Sequence, residues 1–551
     1  MIEKTKKKKH LNSVLIKLKK FFQKNTRKIA RIFLHLSLLI SLIIIFLTNY
    51  INESFSNVTF DQLYYSLLTA EGTSSTVLIN GITYIVSRIA FIYLIIFLLL
   101  ILRKKVIKKE SFMQINLKKK TLNINIFPFS IWQKLFISIL LLLFSINYIM
   151  TNLDIYSYTI SNDKSNLFET YYTNPKDINI KAPKDKQNLI YIYVESMESS
   201  MFTTKNGGAF ERKIVPNLEK TAKNNINFSH SNKLGGAQMP TTGSSWTIAG
   251  LVSSSAGIPL KIPSGIDGNH YYGYGSFLPG AYTLGDVLKE NGYHNYFFIG
   301  SDATFGGRED YFTYHGDYTI YDYNYAKKEG WIADDYYVWW GYEDSKLFDH
   351  AKDTLTEIAQ NDEPFNFTLL TTGTHFTDGY IDEECKTPFD EKYLNAYYCS
   401  DYQIGKFLDW LKKQDFYDDT TIVITGDHLT MQANITEMFD IANSDNYDRT
   451  IYNAIINSKI KASNTKNRLF TTYDFYPTIL ASLGFEIPGN RLGLGTNLFS
   501  DRQTLAEELG LDKFNSQLKL KSQYYNDILL DGLEGQLDST GSSSTASPSS
   551  S

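Results

Sequence analysis

Cysteine is almost absent: Cys385 and Cys399 are the two in 551 residues. They match no zinc-ligand spacing, which excludes a cysteine-built metal site. Net charge is nearly absent too, at −3, so no bulk basicity points to nucleic acid as a partner. There is no internal repeat, which excludes a repeat architecture. Residues 52–76 hold no Lys or Arg, against three acids. Aromatic residues, by contrast, make up 15% of the chain, with 39 Tyr and 35 Phe. That share serves membrane and core packing and also suits contact with sugar or lipid.

Three apolar stretches precede residue 152, about Ile32 to Ile51, Val77 to Leu102 and Ile131 to Met150. Each approaches or exceeds the ~20 residues that a helix needs to cross a bilayer. Arg88 interrupts the second. Runs such as LSLLISLIIIFL are too continuously apolar for buried helices of a soluble core. No small-residue cleavage site follows the first in FLTNYINES, so it does not read as a removed signal. Residues 1–31 carry twelve Lys/Arg and one acid, and residues 103–134 carry nine and one. The positive-inside rule therefore sets the amino terminus and the second loop in the cytoplasm. Three crossings put everything after Met150 outside, as expected of a multi-pass cell-membrane protein with an extracytoplasmic domain. The basic runs flank the spans, so topology accounts for them better than nucleic acid does.

The expected division is a membrane region at 1–150, a polar linker at 151–187, a catalytic domain at 188–534 and a low-complexity, disordered tail at 535–551. From Asn188 short apolar runs alternate with helical patterns. LIYIYV, YFFIG (296–300), FNFTLLTT (365–372) and TIVIT read as strands. YTLGDVLKENG (282–292), residues 345–360, residues 393–414 and DFYPTILASLG (474–484) read as helices. Such alternation predicts an α/β domain with a mainly parallel sheet. Chemistry in such sheets sits beyond the carboxyl ends of the strands.

Three candidate ligands fall there. Glu195 ends the run Leu189 to Val194, and Asp427 and His428 follow the β-branched run of TTIVITGDHL. One imidazole among carboxylates suits a divalent metal with hard-donor preference. Taken singly, Glu195 also reads as a capping or surface carboxylate, and an Asp-His pair as turn chemistry. Between the two strands lies MPTTGSSWTIAG, which offers Thr241, Thr242, Ser244, Ser245 and Thr247 as hydroxyls. Thr247 precedes a stretch that can be helical, so it reads equally as an N-cap and as a group at an anion-binding helix end. His375 lies just beyond FNFTLLTT, as a loop histidine or as a binding and proton-transfer group. Arg308 can hold a phosphate bidentately or pair with Glu309 or Asp310. His270, His294 and His315 receive no role.

YVES, SSWTIAGLVSSSAGIPL, THF, CSDYQIGKFL and TGDHL, in this order, resemble the phosphoglycerol transferases of the alkaline phosphatase and sulfatase superfamily. The likeness runs from about Asn188 to Phe499. It is nearest to the enzymes that modify periplasmic glucans or surface polysaccharides, and more distant from lipoteichoic acid synthases. It implies a sulfatase-like fold with Glu195, Thr247, Asp427 and His428 at the metal, Thr247 as nucleophile, and His375 near the transferred group or acceptor. It implies Mn²⁺, with Mg²⁺ or Zn²⁺ as alternatives. Arg308 falls where lipoteichoic acid synthases bind glycerol phosphate, but Gly306 stands where they carry Trp and Ile299 where they carry His. Leu429, after His428, is like the glucan-modifying branch.

The implied reaction moves phosphoglycerol from phosphatidylglycerol through Thr247 to a hydroxyl of an external glycan. The alternatives are a hydrolase or sulfatase with water as acceptor, a phosphoethanolamine transferase, and a non-catalytic surface binder. A sulfatase would need Cys or Ser in a C/S-x-P-x-R setting, which the chain lacks. If the topology holds, Cys385 and Cys399 lie where a disulfide can form; two separate thiols are the other possibility.

Overall fold

The computed structural model describes residues 2–55, 60–68, 75–106, 111–117, 120–127, 131–156, 163–240, 242–261, 276–361, 363–442 and 444–533. The tail from 535, Thr241 and His270 lie outside these. Two compact units emerge, one of residues 1–53 and 74–156, the other of residues 54–73 and 157–551.

In the first unit three helices are long and apolar enough to cross a membrane: Thr26–Ser54, Ile79–Leu102 and Ile131–Asn152. They coincide with the three stretches seen in the sequence. The basic loop between the second and third contains an antiparallel hairpin of Ser111–Leu117 and Lys120–Phe127.

The second unit is built on a seven-stranded sheet. Its strands are β1 (Asn188–Val194), β2 (Gly236–Ala237), β3 (His294–Ile299), β4 (Thr319–Tyr321), β5 (Phe365–Leu370), β6 (Thr420–Gly426) and β7 (Ile451–Ile456). The order is β2-β7-β6-β1-β5-β3-β4. Only β7 runs against its neighbours β2 and β6; the other pairs are parallel. The α/β class with a mainly parallel sheet is thus the observed one. Strands β2, β4 and β7 were not expected from the sequence, although IYNAII carries the apolar run that marks a buried strand.

Both faces of the central strand are covered. Leu189, Tyr191 and Tyr193 enter one core with the helices Thr247–Ala256, Leu284–Glu290 and Phe475–Ser482. Ile190, Ile192 and Val194 enter a second core with Pro216–Asn224, Asp344–Ile358 and Lys392–Leu411. This period-two split accounts for the continuous apolar run of a strand buried on both sides. It also absorbs much of the tyrosine: Tyr193 Oη meets Ser254 Oγ at 2.9 Å, and Tyr191 Oη accepts from Thr425 Oγ1 at 3.2 Å. Buried hydroxyls so paired escape the desolvation penalty.

The stretch read as a linker packs on this unit from residue 163. Leu167 and Phe168 are buried, and Thr173 exchanges two backbone hydrogen bonds with Gly493. The apolar pair in an otherwise polar segment is the cause. Cys385 and Cys399 form a disulfide that ties the segment before helix Lys392–Leu411 to the helix itself.

Candidate active site

The register of the sheet brings the ligand candidates together. Val194 pairs with Gly426 across β1 and β6, so Glu195 and Asp427 leave adjacent strands at the same level. Ser196 then takes a left-handed φ of +56°, a strained conformation for a non-glycine residue. Its amide donates to Asp427 Oδ1 at 2.8 Å and its hydroxyl to Glu195 Oε1 at 2.8 Å. The His428 amide also donates to Asp427 Oδ1, at 2.8 Å. The strained turn is thus held by both carboxylates, and it fixes them in return.

Glu195, Asp427 and His428 are 2%, 1% and 0% exposed. One donor atom from each lies within 4.8 Å of the others. His428 Nδ1 donates to the Leu429 carbonyl at 2.8 Å, which leaves Nε2 facing the carboxylates, 3.3 Å from Glu195 Oε1 and 3.4 Å from Asp427 Oδ2. This is the backbone contact that fixes the tautomer of a metal-binding histidine. Asp427 Oδ2 is buried without a hydrogen-bond partner, an expensive state for an anionic oxygen unless a cation completes it. Burial and the facing Glu195 push the Asp427 carboxyl up. Burial favours a neutral His428, yet Asp427 and Glu195 outweigh it and hold its proton well above the usual imidazole range. The three groups together call for one more positive charge, which a divalent ion supplies as well as a proton does.

Thr247 opens the helix Thr247–Ala256, and Trp246, not Thr247, is the N-cap. Its Oγ1 stands 3.4 Å from Glu195 Oε2 and 3.5 Å from His428 Nε2. The competing hydroxyls that are described are spent elsewhere or sealed in: Thr242, Ser244 and Ser245 are buried, whereas Thr247 is only partly so. Ser244 Oγ donates to Tyr473 Oη and Ser245 Oγ to Gln62 Oε1, each at 3.4 Å.

Gly250, one turn on, packs against the backbone just past β6. A Cβ there would stand 2.2 Å from the Asp427 carbonyl oxygen. Gly250→Ala should therefore push helix and strand apart. We expect a stability loss of about 1–3 kcal/mol and a fall in turnover on the order of a hundredfold, since an ångström of misplacement has that effect. Thermal melting and steady-state rates of the full chain check this; wild-type rates would show that the contact does not set the site.

His375 is partly buried beyond β5. Its Nδ1 donates to the Phe376 carbonyl at 2.6 Å, and burial holds its pKa below the usual imidazole range. It is therefore neutral at pH 7, with Nε2 as an acceptor. Its loop is held by Asp344, which accepts the Thr372 and Gly373 amides at 2.9 and 2.8 Å. Its ring lies 4.6 Å from Trp340, which stacks on Phe305 at 5.7 Å.

Arg308 is 6% exposed. Its Nη2 donates to the Asp302 carbonyl at 2.6 Å, and Nε is buried without a partner. Burial lowers its pKa to about 10, which leaves it charged at neutral pH. A surface pairing with Glu309 or Asp310 is not what the structure shows. His315 is a satisfied core histidine, between Asp286 and the Phe277 carbonyl, and His294 pairs with Glu363 at the surface.

Sequence reasoning missed Trp340, Asp344 and the clamp of Glu198 with Arg449. Glu198 accepts the Thr430 amide at 2.8 Å and Arg449 Nε at 2.9 Å, while Arg449 Nη2 donates to the Thr430 carbonyl at 3.0 Å. That clamp fixes the loop two residues after His428. The second carboxylate of YVESMES was its signal.

A family model described as Sulfatase matches residues 187–485. Proteins named phosphoglycerol transferase I, for example from Escherichia coli strain 55989, are 32% identical over 349 residues, 62% of this chain and 42% of their own. The chain thus spans less than half the length of these curated relatives. A lipoteichoic acid synthase, LtaP from Listeria monocytogenes, is similar at 20% identity and a TM-score of 0.43, over 59% of this chain and 79% of its own. A protein of the alkaline phosphatase superfamily from Vibrio parahaemolyticus is similar at 23% identity and a TM-score of 0.42, over 57% and 71%.

Proposed function

This chain belongs to the sulfatase family, and from that premise we propose that it is a membrane-anchored, metal-dependent phosphoglycerol transferase. The observation that carries the reading is Thr247: a partly exposed hydroxyl at a helix start, within 3.5 Å of two members of a buried three-residue ligand cluster. The names of the 32% identical relatives support the group transferred.

Glu195, Asp427, His428 and the Thr247 hydroxyl form a donor set of oxygens with one nitrogen. It fits Mn²⁺ first, with Mg²⁺ or Zn²⁺ as alternatives. Bound there, a divalent ion supplies charge stabilisation for phosphoryl oxygens and lowers the pKa of the Thr hydroxyl. Thr247 Oγ1 forms the bond to phosphorus of phosphatidylglycerol, and the bond from phosphorus to the diacylglycerol oxygen breaks. The amides of the first helical turn face the phosphate, and Arg308 adds fixed positive charge. Neutral His375 takes the Thr247 proton on Nε2 and passes it to the leaving oxygen; in the second half it takes the proton of the acceptor hydroxyl and returns it to Thr247 Oγ1. That hydroxyl, on an extracytoplasmic glycan, displaces Thr247 and carries away the phosphoglycerol. The Lys/Arg asymmetry of the loops supports a site outside the cytoplasm.

The test is a balance of products. Purified full chain with phosphatidylglycerol vesicles should release diacylglycerol one-for-one with glycerol phosphate gained by an added glycan, read by mass spectrometry. Free glycerol phosphate at the same rate with and without glycan would make it a hydrolase.

A further inference from the structure

Residues 54–73 lie in sequence between the first and second apolar helices, yet they belong to the same compact unit as the sheet. Within them the helix Phe60–Leu68 turns Gln62 and Tyr65, one turn apart, into the unit. They are 7% and 2% exposed. Their contacts fall on the loops that carry the candidate site. Tyr65 Oη donates to the Gly306 carbonyl at 2.7 Å. Gly306 and Gly307 both have a φ of +69°, and this left-handed pair launches the helix that begins at Arg308. The Tyr65 ring lies 5.8 Å from that of Trp246, the residue before Thr247. Gln62 accepts from Ser245 Oγ and directs Nε2 at Met431 Sδ, three residues after His428. Phe55 bridges to Gln432 through its backbone and sets its ring edge-on to Phe376, 5.2 Å away. Phe376 follows His375.

We propose that this segment is a positioning element of the catalytic site: Tyr65 and Gln62 brace the Thr247, Arg308 and His428 loops against one another. The argument is one of economy. Four loops from distant parts of the chain must hold their side chains to a fraction of an ångström. They are connected to the sheet at one end and need a brace at the other. One short helix touches three of them, its two buried polar groups ending on the nucleophile loop, the glycine pair and the metal loop, and Phe55, just before it, touches the fourth. An incidental surface helix would present apolar side chains to one neighbour. Neither Gln62 nor Tyr65 reaches the reacting atoms, so their role is to position. The catalytic part rests on the transferase reading above; the bracing itself does not.

The test uses the full chain with Tyr65→Phe, which keeps the ring and removes only the hydroxyl, and Gln62→Ala as a second variant. Amide hydrogen exchange is read over 303–308 and 243–248. Single-turnover formation of the phosphoglycerol adduct from phosphatidylglycerol is read beside it. We expect exchange at these loops to quicken about tenfold in Tyr65→Phe, with the strands and the melting temperature unchanged. The adduct should form about five- to twentyfold more slowly at saturating lipid, with metal affinity as in wild type. Exchange at wild-type rates, or adduct formation at wild-type speed in both variants, overturns the proposal. Looser loops in a chain whose wild type forms no adduct at all would leave the brace standing and overturn the transferase reading instead.

Discussion

Thr247→Ala is expected to abolish transfer, with a loss on the order of a thousandfold or more in turnover, as when a covalent nucleophile is removed. The variant should still bind metal, because Glu195, Asp427 and His428 keep their mutual geometry without it. Its fold should hold: Thr247 is only partly buried and is not the helix cap. Wild-type protein given phosphatidylglycerol and no acceptor should gain a glycerol-phosphate mass on the peptide containing Thr247. Thr242→Ala and Thr241→Ala should retain substantial activity. An adduct on another hydroxyl of this stretch, or normal turnover by Thr247→Ala, would leave only a metal-dependent transferase with its nucleophile elsewhere.

The second large effect concerns the metal. Asp427 sits just past a strand end but is fully buried. Alanine would leave a void as well as remove the charge, so the informative change is Asp427→Asn. The amide oxygen can still accept from Ser196 and His428, as Oδ1 does at 2.8 Å. What is lost is the negative charge at Oδ2, which has no hydrogen-bond partner and stands 3.4 Å from His428 Nε2. We expect Asp427→Asn to lose metal at least a hundredfold and activity with it. Its metal-free form should melt no lower than the metal-free wild type, because two buried carboxylates no longer face each other. Added Mn²⁺ should raise the melting temperature of wild type only. At free metal one hundred times Kd, linkage gives about 2.7 kcal/mol. Equal stabilisation of both proteins in a titration by calorimetry would place the metal elsewhere.

The fold was largely legible because the strands that matter are dense in β-branched and apolar residues. LIYIYV and TIVIT could only be buried strands, and each handed its next residues to the sheet's carboxyl edge. The three ligand candidates followed from that one rule. Strand β7 was less visible because Asn453 interrupts it, and that asparagine is buried on purpose: its amide bonds the Phe228 carbonyl and its oxygen accepts the Phe228 amide. Choosing Thr247 among its neighbours was beyond composition, since five hydroxyls in seven residues look alike. Burial separates Thr247 from Thr242, Ser244 and Ser245, and burial is a property of tertiary packing. Arg308 had two readings for the same reason. Trp340 and the segment around Tyr65 were invisible, because nothing local ties a tyrosine to a glycine carbonyl 241 residues away.

The pairing of β1 with β6 also sets an order of events in synthesis. Glu195 and Asp427 are separated by 232 residues, 427 minus 195, though their strands are neighbours. At about 5–20 residues per second, the second carboxylate leaves the ribosome roughly 12–46 s after the first. Until it does, β1 lacks one of its two partners, and the entropy of closing so long a loop must be met before the contact can form. No half-site can hold a cation firmly in that interval, since Glu195 and Thr247 make up only two of the four proposed ligands. An ion bound at the proposed site would therefore be a late arrival, captured from the surroundings of the finished domain and not carried along with the growing chain.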